Sequence, residues 1–371
     1  MKILDVYILK QFSKNFAFGI LCFLLIFILV DLFENLDKFI DKKLTTILIV
    51  QYYLYFIPEI LKLITPVGML LATLFTVSRV NTSNEMIAVN SSGISIYRFS
   101  FPILLFGMFI TILSLYFNGW IVPKSNSEKL SIERTYLDKN KITGLVQNLH
   151  IQDSENMILS FGIYNESERK ASNVSLQYFS EKDLSQLLTR FDIKTSKWDS
   201  SKNEWKLFYI SERKFDSSLT EQYTYIDSGY VSEIPDIKKI YLTPSQIIKK
   251  QLKPDELLLT DLEDFIDSME ESGQSVSKAK VDYYSKISFP FANIVVILFG
   301  LSLSFGRKKS GTAIQFGISI LVTFIYLGFI KVSQTFGYSG DINPILTAWL
   351  ANITFLLFAV VNLLRVSIFW R

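Results

Sequence analysis

The sequence predicts an α-helical membrane protein with six transmembrane helices, three on each side (3+3) of an inserted all-β domain. Of its 371 residues, 49% are apolar and only 20% are charged, and the charges are concentrated in particular segments. A hydrocarbon core about 30 Å thick requires about 20 helical residues. Stretches with few or no charges lie at residues 15–30, which need 31–33 to complete a span, and at 99–123, 287–306, 310–330 and 342–364.

The second span is less regular than the others. Residues 44–78 are mostly apolar, but Glu59 and Lys62 interrupt them, and prolines stand at positions 58 and 66. Proline removes an intrahelical hydrogen bond and bends the axis. We therefore predict a segment at the outer membrane edge that enters a kinked helix. Glu59 and Lys62 are three residues apart and either pair on one helix face or mark a functional polar site.

The lysines and arginines of the short loops predict the orientation, because they are enriched on the cytoplasmic side. With the N-terminus inside, the inner side holds ten and the outer side four, which predicts two cytoplasmic termini and an outer β domain. No small-residue cleavage site follows the first apolar run, so we expect an uncleaved span. The inner residues are Lys2, Lys10, Lys14, Arg79, Arg98, Arg307, Lys308, Lys309, Arg365 and Arg371, and the outer ones Lys38, Lys42, Lys43 and Lys331.

The segment between spans three and four alternates apolar and polar residues from about 142 to 242, which is typical of strands. Two such runs, 191–198 and 204–207, flank a polar turn and predict a hairpin. Several short strands at this spacing indicate a sandwich or a jelly roll. The predicted domains are residues 1–123 for spans one to three, 124–274 for a jelly-roll-like β domain and 275–371 for spans four to six, with a helix near Ser275 continuing into span four.

The composition argues against several chemistries. The chain has one histidine, His150, and one cysteine, Cys22, too few for a His/Cys metal site. The loop Gly306-Arg-Lys-Lys-Ser-Gly-Thr-Ala has two glycines five residues apart, but the second is not followed by the Lys-Ser/Thr pair of a phosphate-binding loop, and no strand precedes the loop. The net charge of +3 gives no sign of nucleic-acid binding. We therefore predict no catalytic residue, no metal and no cofactor bound by this chain.

The inner loop between spans two and three contains the most distinctive polar motif. Thr82 and Glu85 have the spacing of a capping box, and Gly93 is a typical helix stop, so a helix is predicted at about 82–93. This helix is either a structural connector capped by Glu85 or a coupling helix that docks into a cytoplasmic partner.

The predicted outer rim carries a set of basic residues near the ends of spans one and three. They would meet anionic lipid head groups or simply face solvent. These head-group candidates are Lys38, Lys42, Lys43, Lys124 and Arg134.

Six motifs together resemble one known family. They are Leu4-Asp-Val-Tyr-Ile-Leu-Lys-Gln-Phe, Asn84-Glu-Met-Ile-Ala-Val-Asn-Ser-Ser-Gly-Ile-Ser, Trp120-Ile-Val-Pro, Ser272-Gly-Gln-Ser, Tyr284-Ser-Lys-Ile-Ser-Phe-Pro and Leu301-Ser-Leu-Ser-Phe-Gly. From end to end the chain resembles the LptF/LptG (YjgP/YjgQ) permeases of the lipopolysaccharide-export ABC transporter, and it is more similar to LptG than to LptF.

The resemblance implies a permease of the bacterial inner membrane without catalytic activity of its own. It would pair with a second, related permease as a heterodimer, and a cytoplasmic ATPase dimer would hold the ATP and Mg. The complex would extract lipopolysaccharide from among the membrane lipids and pass it to a periplasmic bridge protein of the same β fold.

The resemblance also assigns candidate sites. The ATPase-coupling motif would comprise Asn84, Glu85, Met86 and Gly93. Acyl chains would need an apolar groove in the β domain, for which Phe161, Tyr164, Tyr178 and Phe179 are candidates, although the same side chains suit core packing.

One position departs from the family. Asp31 stands where a basic residue is expected to meet lipid A phosphates, so the lipid specificity differs or Lys38, Lys42 and Lys43 take over the role. The alternative to a permease is a membrane-anchored receptor or enzyme with an outer β sensor domain, which would work without an ATPase partner.

Overall fold

The computed structural model describes residues 3–137, 145–154, 156–165, 168–180, 186–215, 221–234, 237, 243–244, 247, 252–271, 275–305 and 312–369. Within these residues, six helices are long and apolar enough to cross a membrane. A six-stranded antiparallel sheet lies between the third and the fourth of them in the sequence. The prediction of a helical membrane protein with an added β domain is therefore confirmed.

The helices that precede the sheet are α1 (Ile3–Asp41), α2 (Thr46–Thr82), α3 (Glu85–Ser91), α4 (Ile96–Tyr116) and α5 (Val122–Tyr136). A single π-helical turn, Phe117–Ile121, joins α4 to α5, so the two form one continuous helix. At 1.5 Å per residue the 39 residues of α1 span about 58 Å, nearly twice the hydrocarbon thickness. One or both ends of α1 therefore extend beyond the hydrocarbon core.

The second span has no separate entry segment, which corrects that part of its prediction, while the kink stays a prediction. Residues Thr46–Thr82 form one uninterrupted helix that contains both Pro58 and Pro66. Its neighbours supply the packing that tolerates the prolines, as helices in a bundle do. Ile60, Ile64 and Met69 of α2 are buried within the helical unit.

The helices after the sheet are α6 (Leu259–Glu271), α7 (Ser277–Ser288), α8 (Ala292–Phe305), α9 (Thr312–Tyr338) and α10 (Pro344–Phe369). The 3-10 turn Phe289–Phe291 connects α7 to α8 without a loop, and together they form the fourth candidate span. This continuity agrees with the predicted helix that begins near Ser275 and runs into span four.

The sheet consists of β1 (Leu145–Ser154), β2 (Met157–Asn165), β3 (Lys170–Phe179), β4 (Leu187–Asp199), β5 (Glu204–Phe215) and β6 (Glu221–Tyr230). Each strand pairs antiparallel with the next, in the order β1-β2-β3-β4-β5-β6. This order is a meander, and the jelly-roll connection stays a prediction. Because β4 and β5 pair directly, the predicted hairpin is confirmed.

The β4–β5 turn is held by a carboxylate. Asp199 accepts hydrogen bonds from the backbone N–H and the hydroxyl of Ser201, at 2.9 and 2.6 Å. Tyr230 donates a third, at 3.0 Å. The Ser201 hydrogen bonds lower the pKa of Asp199 to about 2, because they stabilise the ionised form.

The chain divides into two compact units. The helical unit comprises residues 1–137, 254–262 and 277–371, and the β unit comprises 138–253 and 263–276. The boundary predicted between 123 and 124 falls inside α5, whose Asn126, Lys129 and Glu133 are buried. The domain limits taken from the sequence remain predictions. The core of the β unit is formed by apolar side chains from β2 to β5 together with Val231, Ile234, Ile237 and Ile247.

Candidate functional site

Helix α3 is shorter than predicted and begins differently. It comprises Glu85–Ser91, and residue Thr82 is the last residue of α2. The predicted capping box is wrong, because the hydroxyl of Thr82 donates to the carbonyl oxygen of Ser78 one turn back in α2. The N-cap of α3 is Asn84, which has a left-handed backbone (φ 58°) and no side-chain capping hydrogen bond.

The carboxylate of Glu85 has a partner on another helix. The hydroxyl of Tyr7, in the second turn of α1, donates to it at 3.0 Å from Oε2 and 3.3 Å from Oε1. Glu85 therefore does not cap its own helix through the predicted contact with Thr82. Its hydrogen bond connects α3 to the first candidate span.

One face of α3 anchors it to the helical unit. Met86 is 5% exposed and belongs to an apolar cluster with Ile8, Phe12 and Val80. The next residue, Ile87, is 65% exposed, so α3 presents an apolar side chain to its surroundings.

The turn that follows α3 depends on a glycine. Gly93 has φ +72°, a left-handed conformation that favours glycine. Its N–H donates to the carbonyl oxygen of Asn90 at 2.9 Å. The structure therefore places all four predicted coupling residues, Asn84, Glu85, Met86 and Gly93, in α3 or the turns at its two ends.

A second polar contact to α1, a partly buried ion pair, lies in the first turn of α4. The guanidinium of Arg98, in the first turn of α4, contacts the carboxylate of Asp5 at 2.7 Å. Asp5 is 5% exposed, so the charge of Arg98 compensates a carboxylate that water hardly reaches. Two polar contacts, Tyr7–Glu85 and Asp5–Arg98, therefore join α1 to the segment from α3 to α4. We call these four residues the α3 clamp.

In the N-terminal half of α2, the first alternative for Glu59 and Lys62, a pair on one helix face, is wrong. Glu59 instead binds Lys129 of α5 at 2.8 Å, and the ammonium of Lys129 lies 4.0 Å from the centre of the Phe56 ring. Lys62 lies 3.8 Å from Asp255. The helix-face spacing predicted a local pair, but α5 brings a cation 70 residues away closer to Glu59.

The head-group candidates have different environments. Lys38, Lys42, Lys43 and Lys124 are exposed. Arg134 differs, since its side chain is 14% exposed and contacts the carboxylate of Glu256 at 2.5 Å. The guanidinium of Arg134 therefore neutralises a buried carboxylate.

Asp31, the position that departs from the expected basic residue, is engaged by α2. The hydroxyl of Tyr53 donates to its Oδ2 at 3.1 Å. This hydrogen bond gives Asp31 a structural partner between the first two spans.

Three of the four acyl-chain candidates lie in the core of the β unit. Phe161, Tyr164 and Tyr178 are at most 6% exposed and belong to its apolar cluster. Phe179 is partly exposed. Among the described residues, no group of three or more His, Cys, Asp and Glu side chains could hold a metal ion.

Sequence reasoning missed two features of the α3 clamp. The roles of Asp5 and Tyr7 were not predicted, although both lie in the first quoted motif, at residues 4–12. The Asp5–Arg98 pair was also missed, because nothing local in either segment marks its partner 93 residues away.

These elements define a polytopic helical membrane protein with an inserted antiparallel β domain and a short clamped helix between its second and third spans. The family model described as lipopolysaccharide export system permease LptF/LptG matches residues 6–365. The chain therefore belongs to the LptF/LptG family.

Relatives with curated names agree with this membership. The lipopolysaccharide export system permease protein LptG of Escherichia coli strain K12 is 24% identical over 320 residues, which are 85% of either chain. The protein of the same name from Haemophilus influenzae is 22% identical over 306 residues, 82% of this chain and 81% of that protein.

Proposed function

We propose that this chain is a permease subunit of an ABC transporter that extracts lipopolysaccharide from the bacterial inner membrane. The observation that carries the proposal is the α3 clamp in a chain of this family. A seven-residue helix with one buried anchor, an exposed apolar side chain and a carboxylate bound to span one is suited to receive a movement from a partner.

In this proposal α3 faces the cytoplasm, as do both termini, and it meets the ATPase dimer that binds ATP and Mg. Two facts support this orientation: the excess of lysine and arginine on the α3 side of the short loops, and the exposed Ile87 beside Glu85. The large β domain then lies in the periplasm.

The lipid would enter from the membrane between this chain and a second, related permease. An apolar lateral opening needs many exposed apolar side chains, and α1, α4, α9 and α10 provide them. Phe18, Phe109, Phe324 and Phe358 are each more than half exposed. Lys38, Lys42, Lys43 and Lys124 would bind anionic head groups there, while Arg134 would support Glu256.

The β domain would receive acyl chains in a jelly-roll-like fold and pass the lipid to a periplasmic bridge protein of the same β fold. Phe179 is the most accessible of the aromatic candidates. Phe161, Tyr164 and Tyr178 would form the apolar floor beneath the acyl chains.

Replacement of Glu85 by alanine tests the coupling role. With the chain reconstituted in proteoliposomes with its ATPase and second permease, we expect E85A to assemble and to hydrolyse ATP while releasing little lipopolysaccharide. Glu128→Ala, which removes an exposed glutamate of α5, is the matched control. Wild-type release by E85A would exclude the coupling role.

Purification in mild detergent tests the transporter against the alternative. We expect an ATPase and a second related permease to co-purify with this chain. Their absence from an active preparation would favour a membrane-anchored receptor or enzyme with an outer β sensor domain.

A further inference from the structure

In the sheet of the β unit, side chains alternate between the core and the opposite face. At one level across the sheet this alternation shifts by one residue. In β4, Phe191 and Ile193 point into the core, as does Ser196 three residues later, so the alternation shifts by one residue. In β5 the same shift separates Leu207 from Ile210. Strands β2 and β3 show it too, between Phe161 and Tyr164 and between Ala171 and Val174.

The shift lies at the same level in every strand. In each of the five strand pairs the ladder skips a position at this level, and these positions form one continuous row across the sheet. We call this row the crease. It consists of Asn148, Gly162, Asn173, Lys194, Tyr209 and Asp227.

The crease has an unusual backbone. Asn173 and Tyr209 have φ angles of 53° and 55°, a left-handed conformation that is strained for a bulky residue such as tyrosine. Gly162 has no room for a side chain, since a Cβ there would lie 2.8 Å from the Cβ of Asn173. Backbone strain and bulges of this kind are frequently found at functional sites.

A cleft of about 630 Å³ opens along the crease on the face of the sheet opposite the core. This size lies within the roughly 300–1,000 Å³ typical of small-ligand sites. Ser160, Ser175 and Ser211 are in the same cross-strand row as Asp192 and contribute only short side chains. The small serines leave space that larger side chains would fill.

One carboxylate, Asp192, orients an arginine of the cleft, Arg190, and a second arginine beside it, Arg213. Asp192 accepts from Arg190 at 2.9 Å and also binds Arg213. Its hydrogen bond raises the pKa of Arg213, so this cation is permanent. Lys194 lies 5.8 Å from the centre of the Tyr209 ring. Among the residues that line the cleft, two cations, Arg190 and Lys194, thus stand against the single carboxylate of Asp192.

Tyrosine rings form the remaining wall. Tyr209 and Tyr225 line the cleft and are 52% and 54% exposed. An exposed tyrosine offers an apolar face together with a hydroxyl, which suits a ligand with both C–H and O–H groups. A sugar ring has this character, and guanidinium and ammonium groups recognise phosphate or carboxylate substituents.

We propose that this cleft binds an acidic oligosaccharide, with Arg190 and Lys194 on its phosphate or carboxylate groups and Tyr209 and Tyr225 against its rings. The saccharide of a lipopolysaccharide belongs to this chemical class. The site is distinct from the apolar core of the sheet and does not depend on the transport role, because a soluble saccharide without lipid is sufficient to test it.

Isothermal titration of the full-length chain in detergent tests the proposal, with a deacylated, phosphorylated core oligosaccharide as the probe. We expect saturable binding of this probe and about tenfold weaker binding by Lys194→Gln, the loss expected for one charge-assisted contact. Lys197→Gln is the matched control, because Lys197 is an exposed lysine of the same strand outside the cleft. Tyr225→Ser is a second variant, at the sheet edge, and should also weaken binding.

Three further titrations distinguish binding of an acidic saccharide from binding of a simple anion or of an acidic protein segment. A neutral maltooligosaccharide of equal length and inorganic phosphate should each bind much more weakly than the acidic probe. Equal binding of inorganic phosphate would mean an adventitious anion site and would overturn the proposal. Tighter binding of an acidic peptide such as oligoglutamate would assign the cleft to a protein segment instead. An unchanged affinity in both K194Q and Y225S would also overturn it.

Discussion

The hydroxyl of Tyr7 donates a hydrogen bond to the carboxylate of Glu85, 78 residues away, at 3.0 Å from Oε2. This contact joins the start of the first candidate span directly to α3. A displacement of α3 therefore acts on α1 as well as on α2, its neighbour in the sequence. The same unbroken helix of 39 residues carries Tyr7 near one end and Lys38 near the other.

Replacement of Tyr7 by phenylalanine removes this hydrogen bond and little else. In the reconstituted transporter we expect lipopolysaccharide release per ATP hydrolysed to fall by about tenfold, because an exposed hydrogen bond to a charged group contributes about 1.5 kcal/mol. Tyr97→Phe, at an exposed tyrosine of α4, is the control. Equal release ratios for Y7F and Y97F would show that the Tyr7 contact is not used in coupling.

The Asp5–Arg98 pair should respond unequally to loss of its two partners. Arg98→Gln leaves an almost buried carboxylate without its cation, and we expect the free energy of unfolding to fall by about 1–3 kcal/mol. Asp5→Asn leaves Arg98, whose side chain is 38% exposed, in contact with water and should cost less. Thermal unfolding in detergent compares the two variants, and a larger loss for D5N would contradict the assigned environments.

Glu59 and Lys62 contact different partners, and loss of the two contacts should lower the free energy of unfolding by different amounts. Glu59→Gln should destabilise the helical unit by about 1–3 kcal/mol, because it leaves the ammonium of Lys129, a side chain only 11% exposed, without its carboxylate. Lys62→Gln should cost below about 1 kcal/mol, since Asp255 is 64% exposed and 3.8 Å away. Equal losses in unfolding measurements would indicate that Glu59 and Lys62 pair with each other instead.

A glycine on α8 controls how closely α2 approaches. A Cβ at Gly300 would lie 2.9 Å from Leu70 and 3.1 Å from Thr73, so Gly300→Ala forces the two helices apart. Close approach at small residues is a main source of helix association in membranes. We expect a clearly lower thermal midpoint for G300A. Gly317→Ala on α9 meets no atom within 4 Å and should leave the midpoint unchanged, so a similar loss in both variants would argue against this packing.

Much of the architecture was predictable, because long apolar runs and strand alternation are local signals. The span that contains Glu59 was predicted less well. Its charges and prolines interrupt the apolar run that predicts a span, whereas the helix is stabilised by packing against its neighbours. Partners were predicted poorly: Glu59 pairs with Lys129, and Glu85 with Tyr7, over separations that spacing along one helix does not reveal. Thr82 illustrates the opposite error, because a capping box was inferred where its hydroxyl bonds within the preceding helix.

The crease could not be predicted from the sequence, for a physical reason. An extra residue in every strand leaves the register between strands intact, so each strand still alternates on both sides of the shift. The sequence of β4 alone gives no sign that Lys194 lies at a change of face. Only the pairing of all six strands brings Lys194 into line with Gly162 and Tyr209.

We propose that this chain helps to extract lipopolysaccharide at the expense of ATP. The most direct measurement is transfer of labelled lipopolysaccharide from proteoliposomes that contain the purified complex to a soluble acceptor protein of the bridge type. We predict transfer that requires ATP hydrolysis and is greatly reduced by E85A. Transfer that is equal with and without ATP, or no transfer by a complex that hydrolyses ATP normally, would exclude this role in extraction.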